Sequence, residues 1–259
     1  MATSEPYPGT QAVLRAVSLL KAFTDSQPEW GLTELARAVG LNKTTAYRLL
    51  TALESEGMVA RNPLNEAYRL GPEAIAIGGR ALRSNDLRTA SHFELEALAE
   101  VTHETATLEV MADGQVLILD EALGPHVVGN TQSIGTRWPA HATSTGKVLL
   151  AHLSESKLKT FLRPALVRFN DKTITDPAEL RVELEHVREQ GYATVLGELE
   201  MGFVAIGAPV RNHEAQVAAA ISVGGPSVRL TPERLVEISG WVKQAAARIS
   251  QRLGYQDSG

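Results

Sequence analysis

The residues best placed to do chemistry lie between Lys43 and Thr51. In the stretch Asn42-Lys-Thr-Thr-Ala-Tyr-Arg-Leu-Leu-Thr-Ala-Leu53, Ala46, Leu49, Leu50 and Leu53 recur at i, i+3, i+4 and i+7. That spacing makes one apolar helical face. At about 100° per residue, the opposite face carries Thr44, Arg48 and Thr51. Lys43 and Tyr47 flank it on one side and Thr45 on the other. A free face that is basic, hydroxyl-bearing and acid-free is one that a DNA major groove accepts, with Arg48 the residue best suited to a guanine edge. Residues 35–53 hold Arg37, Lys43 and Arg48 and no acid, although the chain as a whole has a formal net charge of −5.

A second cluster, Thr143-Ser-Thr-Gly-Lys147, gathers three hydroxyls and a glycine where a helix begins. Unpaired N–H groups aligned with the helix dipole suit a carboxylate or another anion. Thr143 or Ser144 acting simply as an N-cap is the plainer reading, and the two are compatible. The same residues come close to catalytic signatures without matching them. A phosphate loop needs Gly at position 141, where His141 stands. A nucleophile elbow around Ser144 needs Gly at 142, where Ala142 stands. The seven histidines show no HxH or HxxxH spacing, and the absence of cysteine removes thiol nucleophiles and Cys-ligated zinc. No cofactor or metal site is expected and no catalytic residue is assigned. A Ser/His enzyme fused to a DNA-binding head ranks low.

The elements that position these residues can be followed along the chain. A first helix is expected over about Thr10–Thr24. A short helix then carries Leu35, Ala36 and Val39, and Gly40 marks a sharp turn where positive φ is tolerated. Asn42 is placed to cap the next helix. Met58–Arg61 and Ala67–Leu70 flank the turn Asn62-Pro-Leu-Asn65, which makes a wing after the recognition helix. Arg61 and Arg69 on that wing suit phosphates or the minor groove. Pro72 opens a linker helix to Arg83, weakened by Gly78-Gly79. Asn85 and its neighbours cap a longer helix to about Val101.

Beyond Val101 the pattern turns to period two. Strands are expected at Thr105–Met111 and Val116–Ala122 around Asp113-Gly114, and a third at His126–Thr131. Helices follow at about Ser144–His152 and Ser154–Leu162, and one opened by Asp176-Pro-Ala-Glu179 ends at Gly191. Strands at Phe203–Val210 and Ala215–Gly224 lead to a last helix from Thr231 to about Leu253. The fold class is α+β, with an N-terminal winged helix-turn-helix and a C-terminal domain on a mainly antiparallel sheet. The organisation is a disordered tail over 1–9, a DNA-binding domain over 10–71, a linker helix over 72–85 and a binding and oligomerisation domain over 86–255.

At 259 residues the chain has room for both domains, and its composition (44% apolar, 21% charged) is that of a soluble globular protein. Residues 1–83 carry nine Lys and Arg against eight Asp and Glu, a net +1; the remainder carries −6. A weakly charged head on an acidic body suggests two heads acting on one site. The polar N-terminus, the absence of a long apolar run and the absence of cysteine suit the cytoplasm and no membrane.

A winged helix, a linker helix and an α+β sensor domain together resemble the IclR family of bacterial transcription regulators, from about Gln11 to Leu253. The stretches that carry the resemblance are Leu41-Asn-Lys-Thr-Thr-Ala-Tyr-Arg-Leu-Leu50, Tyr68-Arg-Leu-Gly71, Arg137-Trp-Pro-Ala-His-Ala-Thr-Ser-Thr-Gly-Lys147, Gly202-Phe-Val-Ala-Ile-Gly-Ala-Pro-Val210 and Ala219-Ala-Ile-Ser-Val-Gly-Gly-Pro226. The resemblance implies a GAF-like effector domain, dimers or tetramers, and operator binding modulated by a small metabolite. It places the effector against Trp138, Thr143, Ser144, Thr145, Gly146, Phe203, Ala205 and Ser222. Departures from the family pattern are Val195-Leu-Gly197 before the first acids at Glu198 and Glu200, and Val204-Ala205 where many members have Arg-Cys. With Trp138 and Phe203 at positions more often aliphatic, they lead to the expectation of an apolar, aromatic pocket for an aromatic or aliphatic carboxylate. The alternative is a constitutive architectural DNA binder whose second domain only oligomerises.

Overall fold

The structure is a computed structural model that describes residues 10–125 and 134–256. The tail over 1–9 and the strand expected at His126–Thr131 lie outside the described residues. The chain divides between Ser84 and Asn85 into two compact units.

The first unit comprises α1 (Gln11–Lys21), β1 (Glu29–Trp30), α2 (Leu32–Ala38), α3 (Lys43–Ser55), β2 (Val59–Arg61), β3 (Tyr68–Leu70) and α4 (Pro72–Arg83). Gly40 turns between α2 and α3 with φ of +67°, a conformation that costs a residue with a Cβ. Asn42 caps α3, its side chain accepting from the Thr45 N–H at 2.8 Å. Leu19, Leu35, Ala46, Leu50, Val59 and Tyr68 make the core, with Leu49 and Leu53 packed at its edge. The wing is three-stranded rather than two-stranded: β1, too short to show a period, pairs with β3 and sets Glu29 opposite Arg69. Glu29 then receives hydrogen bonds from the Asn62 and Asn65 side-chain amides, which pin the wing turn and hold its carboxyl below the usual range. Gly71 admits the start of α4, since a Cβ there would lie 2.2 Å from the Gly57 carbonyl oxygen.

The second unit runs α5 (Asp86–Thr102), β4 (Thr105–Ala112), β5 (Gln115–Ala122), β6 (Arg137–Pro139), a 3-10 turn (Ala140–Ala142), α6 (Ser144–Ala151), α7 (Glu155–Phe161), α8 (Pro177–Gln190), β7 (Ala193–Leu196), β8 (Phe203–Arg211), β9 (Val217–Pro226) and α9 (Pro232–Arg252). Its strands form one antiparallel sheet in the order β6-β5-β4-β9-β8-β7. Alternation sorts the side chains between two layers. Ala106, Leu108, Ile206, Val210, Ile221 and Val223 pack with α5 and α9 through Leu95, Leu98, Ile238, Val242 and Ile249. Val116, Ala193 and Ala220 pack with α6, α7 and α8 through Val148, Leu150, Leu158, Leu180 and Leu184. The start expected for β9 at Ala215 is corrected: Ala215 has φ of +59° in a turn closed by Asn212, and the strand begins at Val217. The short β6 and β7 were not foreseen.

Replacing Asn42 with Ala removes the acceptor for the Thr45 N–H and should cost the first unit about 1 kcal/mol. Hydrogen exchange across Lys43–Ser55, with chemical denaturation of the full chain, measures it; exchange at the wild-type rate would show that the cap contributes nothing.

Candidate functional site

α3 places its two faces as the periodicity requires. Ala46 and Leu50 are fully buried, while Lys43, Thr44, Tyr47, Arg48 and Thr51 are exposed and Thr45 is partly covered. Lys43 and Arg48 make no ion pair among the described residues. The Thr51 hydroxyl donates to the Tyr47 carbonyl at 2.9 Å, the usual back-bond of an exposed helical threonine. The two wing arginines differ. Arg69 is exposed, whereas Arg61 sits over the Tyr68 ring at 4.9 Å and within 5.9 Å of the Tyr47 ring. Its Nη1 reaches Glu66 at 3.4 Å, and its Nε lies 3.3 Å from Glu54 without hydrogen-bond geometry. Arg61 is therefore a half-buried strut that steadies Tyr47, not a free cation.

The sheet face toward α6 carries a partly open cleft with a cavity volume of about 50 Å³ as it stands. Of the residues expected there, Trp138, Thr143, Ser144, Thr145, Phe203, Ala205 and Ser222 line it. Gly146 does not, and is a correction. Its N–H bonds the capping Thr143 hydroxyl at 3.2 Å, and a Cβ there would lie 2.1 Å from the Ala140 carbonyl oxygen. Gly146 is needed for packing. Gly207 plays the matching part on the sheet, where a Cβ would press on Ser144 Oγ and Thr145 N at 3.2 Å. Gly224 leaves room for the Phe203 ring in the same way.

Ala142, Val195, Glu198, Leu199, Glu200 and Glu109 also line the cleft, and sequence reasoning missed them. Three carboxylates thereby join Trp138 and Phe203 in a cleft whose accessible wall is still mainly apolar. Glu109 is 4% exposed and accepts from the Thr145 hydroxyl at 2.5 Å and the Thr107 hydroxyl at 2.9 Å. Thr107 also bonds the Ser222 hydroxyl at 2.8 Å. Thr145 thus spends its hydroxyl on Glu109. His141 does not pair with a serine either: its Nε2 bonds the Val167 carbonyl at 2.9 Å, and burial holds its pKa down. Behind the cleft, the Lys147 ammonium meets Glu198 at 2.6 Å and Glu183 at 3.0 Å. Burial raises the pKa of Glu198, against the pull of Lys147 beside it.

Burial also raises the pKa of Glu109, against the lowering effect of its two hydroxyl donors. An acid raised by folding contributes stability that is complete below its unfolded value of about 4.3 and is lost as pH climbs through its folded value. Glu109→Gln keeps the shape and cannot ionise. Denaturation between about pH 5 and pH 8 should show wild type losing stability relative to the variant as pH rises; parallel curves would mean that Glu109 titrates alike in both states.

Comparison with known proteins covers both units. The model of the bacterial transcriptional regulator IclR C-terminal domain matches residues 79–251, and that of the IclR helix-turn-helix domain matches residues 12–63. The HTH-type transcriptional regulator XynR of Escherichia coli is 32% identical, over 96% of this chain and 99% of the relative. The crystal structure of an IclR transcriptional regulator from Alicyclobacillus acidocaldarius is 32% identical with a TM-score of 0.85, covering 94% of this chain and 98% of that one. An IclR homolog from Microbacterium hydrocarbonoxydans, solved in complex with 4-hydroxybenzoate, is 27% identical with a TM-score of 0.80, covering 93% and 98%. With both domains matched in order and relatives aligned along nearly their whole length, the chain belongs to the IclR family, which consists of transcriptional regulators and not enzymes.

Proposed function

We propose that this regulator reads an operator through α3 and that a small molecule in the cleft adjusts that reading. The observation that carries the proposal is the exposed face of α3, where Lys43, Thr44, Tyr47, Arg48 and Thr51 stand together without an acid. Arg48 is long, unpaired and central, which fits a guanine edge, while Lys43 and Thr44 at the helix start fit phosphate or base edges. Thr45 borders them. Arg69, opposite Glu29 on the wing, supplies its exposed cation, and Arg61 acts indirectly by holding Tyr47.

The active species is a homo-oligomer with the dimer as its unit. α1 leaves Val13, Leu14 and Val17 exposed and α4 leaves Ile75 and Ile77 exposed, and α4 buries no residue at all within one chain. One head with little net charge holds DNA weakly, so a second copy supplies both the missing phosphate contacts and the apolar cover. The effector is a small aromatic or aliphatic carboxylate. Support comes from the start of α6 and the aromatic walls of the cleft, and from the 4-hydroxybenzoate held by the Microbacterium homolog. The cytoplasm is its place of action: its target is DNA, it has no cysteine, and among the described residues no helix is long and apolar enough to cross a membrane.

Arg48→Ala should cost about 1–3 kcal/mol of binding to the chain's own upstream DNA and relax preference at one base pair. Footprinting of the wild type should show half-sites separated by about 34 Å or a multiple of it; unchanged affinity in the variant would remove Arg48 from the interface. Ile75→Glu places a charge in the proposed dimer seam. Sedimentation should then show a shift toward monomer with operator affinity falling in parallel, whereas an unaltered distribution would put the seam elsewhere.

A further inference from the structure

Tyr47 and Glu54 lie seven residues apart on α3 and share the flank of the helix that meets the wing. The Arg61 side chain, which comes from β2, reaches both of them. Its guanidinium carbon is 4.9 Å from the centre of the Tyr68 ring and 5.9 Å from that of the Tyr47 ring. Tyr68 is 2% exposed and is the cross-strand neighbour of Arg61, so one side of this stack is anchored in the core. Glu54 at 3.3 Å and Glu66 at 3.4 Å offset the guanidinium charge. Tyr47 is 48% exposed, and among the described residues it is the one large apolar side chain of α3 left in solvent.

We propose that the Tyr47 ring reads the 5-methyl group of one thymine per half-site, and that Arg61 is the positioning residue that fixes this ring. The proposal rests on α3 as the reading helix and adds the base and the kind of contact. Thymine is selected by chemistry, since its methyl is the apolar group that the major groove offers and an apolar side chain is what meets it. The other exposed residues of the reading face, Lys43, Thr44, Arg48 and Thr51, are polar, which leaves Tyr47 with the largest apolar surface there. A tyrosine free on a helix surface samples several rotamers and loses that freedom on contact. Stacked on Arg61, Tyr47 has given the freedom up before DNA arrives. Arg61 itself is a poor ligand for phosphate. Two acids within 3.4 Å already meet its charge, and its side chain is only 31% exposed.

The test is gel-shift titration of the full-length protein on its own upstream DNA, with uracil put in place of each thymine of the footprint in turn. Uracil keeps the base pair and lacks the methyl. One thymine per half-site should lose about three- to fivefold in affinity on this exchange, the effect of one buried methyl. Tyr47→Phe keeps the ring and should keep that loss, whereas Tyr47→Ala should abolish it. Arg61→Met keeps much of the side-chain length without the charge. It should diminish the loss at that thymine while the slope of log affinity against log salt stays at the wild-type value. Arg61→Lys returns a cation and should restore part of the loss. A merely structural arginine would weaken binding to thymine and uracil DNA alike, and a phosphate contact would lower the slope by about 1 per half-site. Either result overturns the proposal, as does an operator with no methyl-sensitive thymine, or a loss that survives in Tyr47→Ala. DNA binding with any of those outcomes leaves α3 standing as the reading helix, and absence of DNA binding counts against both.

Discussion

The second unit is organised around one buried charge. The Lys147 ammonium is 1% exposed on α6, a helix whose eight residues, Ser144–Ala151, are all buried. An ammonium cannot stay charged in such a place without carboxylates to replace its water, and losing one partner of a buried pair costs about 3–5 kcal/mol. Glu183 comes from α8 and Glu198 from the segment after β7, so one side chain ties together three elements distant in sequence. That segment is held further by Asn170 and Thr173, whose side chains bond the Gly197 and Glu198 carbonyls. The same ion pair leaves the second oxygen of Glu198, a residue of the cleft wall, without a hydrogen-bond partner among the described residues.

The seating of α6 has a second consequence. Gly207 and Gly146 permit the helix start to lie against the sheet on one side and the 3-10 turn on the other. That approach brings Thr145 within reach of Glu109 and buries a carboxyl in the middle of β4. The polarity of the cleft follows from packing. Thr107, Glu109, Ser222 and Ala205 share one face of adjacent strands, and the register that pairs Thr107 with Ser222 and Ser222 with Gly207 leaves them no other arrangement.

The first unit was largely legible because its signals are local. Gly40, Asn42 and the Ala46-Leu49-Leu50-Leu53 stripe act within one or two turns of themselves, and the structure uses each as the spacing requires. The strands β1, β6 and β7 were missed because two to four residues show no period and exist only through their partners. Arg61 looked like a free wing cation, since its ties to Glu54 and Glu66 and its stacking on Tyr68 arise from the folded wing. Glu109 lies in an alternating strand opposite Leu108 and Val110, a pattern that normally turns an acid to solvent. Its burial depends on α6, far along the chain. Gly146 was assigned to the ligand because its motif is specific, yet the residues a motif keeps for backbone clearance look no different from those it keeps for contact.

α4 is where these local and distant effects meet. It is helical from Pro72 to Arg83 although none of its residues is fully buried, with Ala74, Ala76 and Leu82 only partly covered. Gly78 and Gly79 each cost about 1 kcal/mol relative to Ala in a helix interior. Gly78 has no neighbour that a Cβ would meet, so close packing within the chain does not account for it. A twelve-residue helix is marginal in water by itself, which makes the apolar contacts of Ile75 and Ile77 decisive for its order. On the proposed dimer those contacts come from a second copy, and the helix then orders together with the assembly. A ligand alters operator affinity only by preferring one arrangement of the heads. A short helix weakened at its centre and stabilised from outside is an element whose order small free energies can shift, whereas a well-packed helix would resist the same bias.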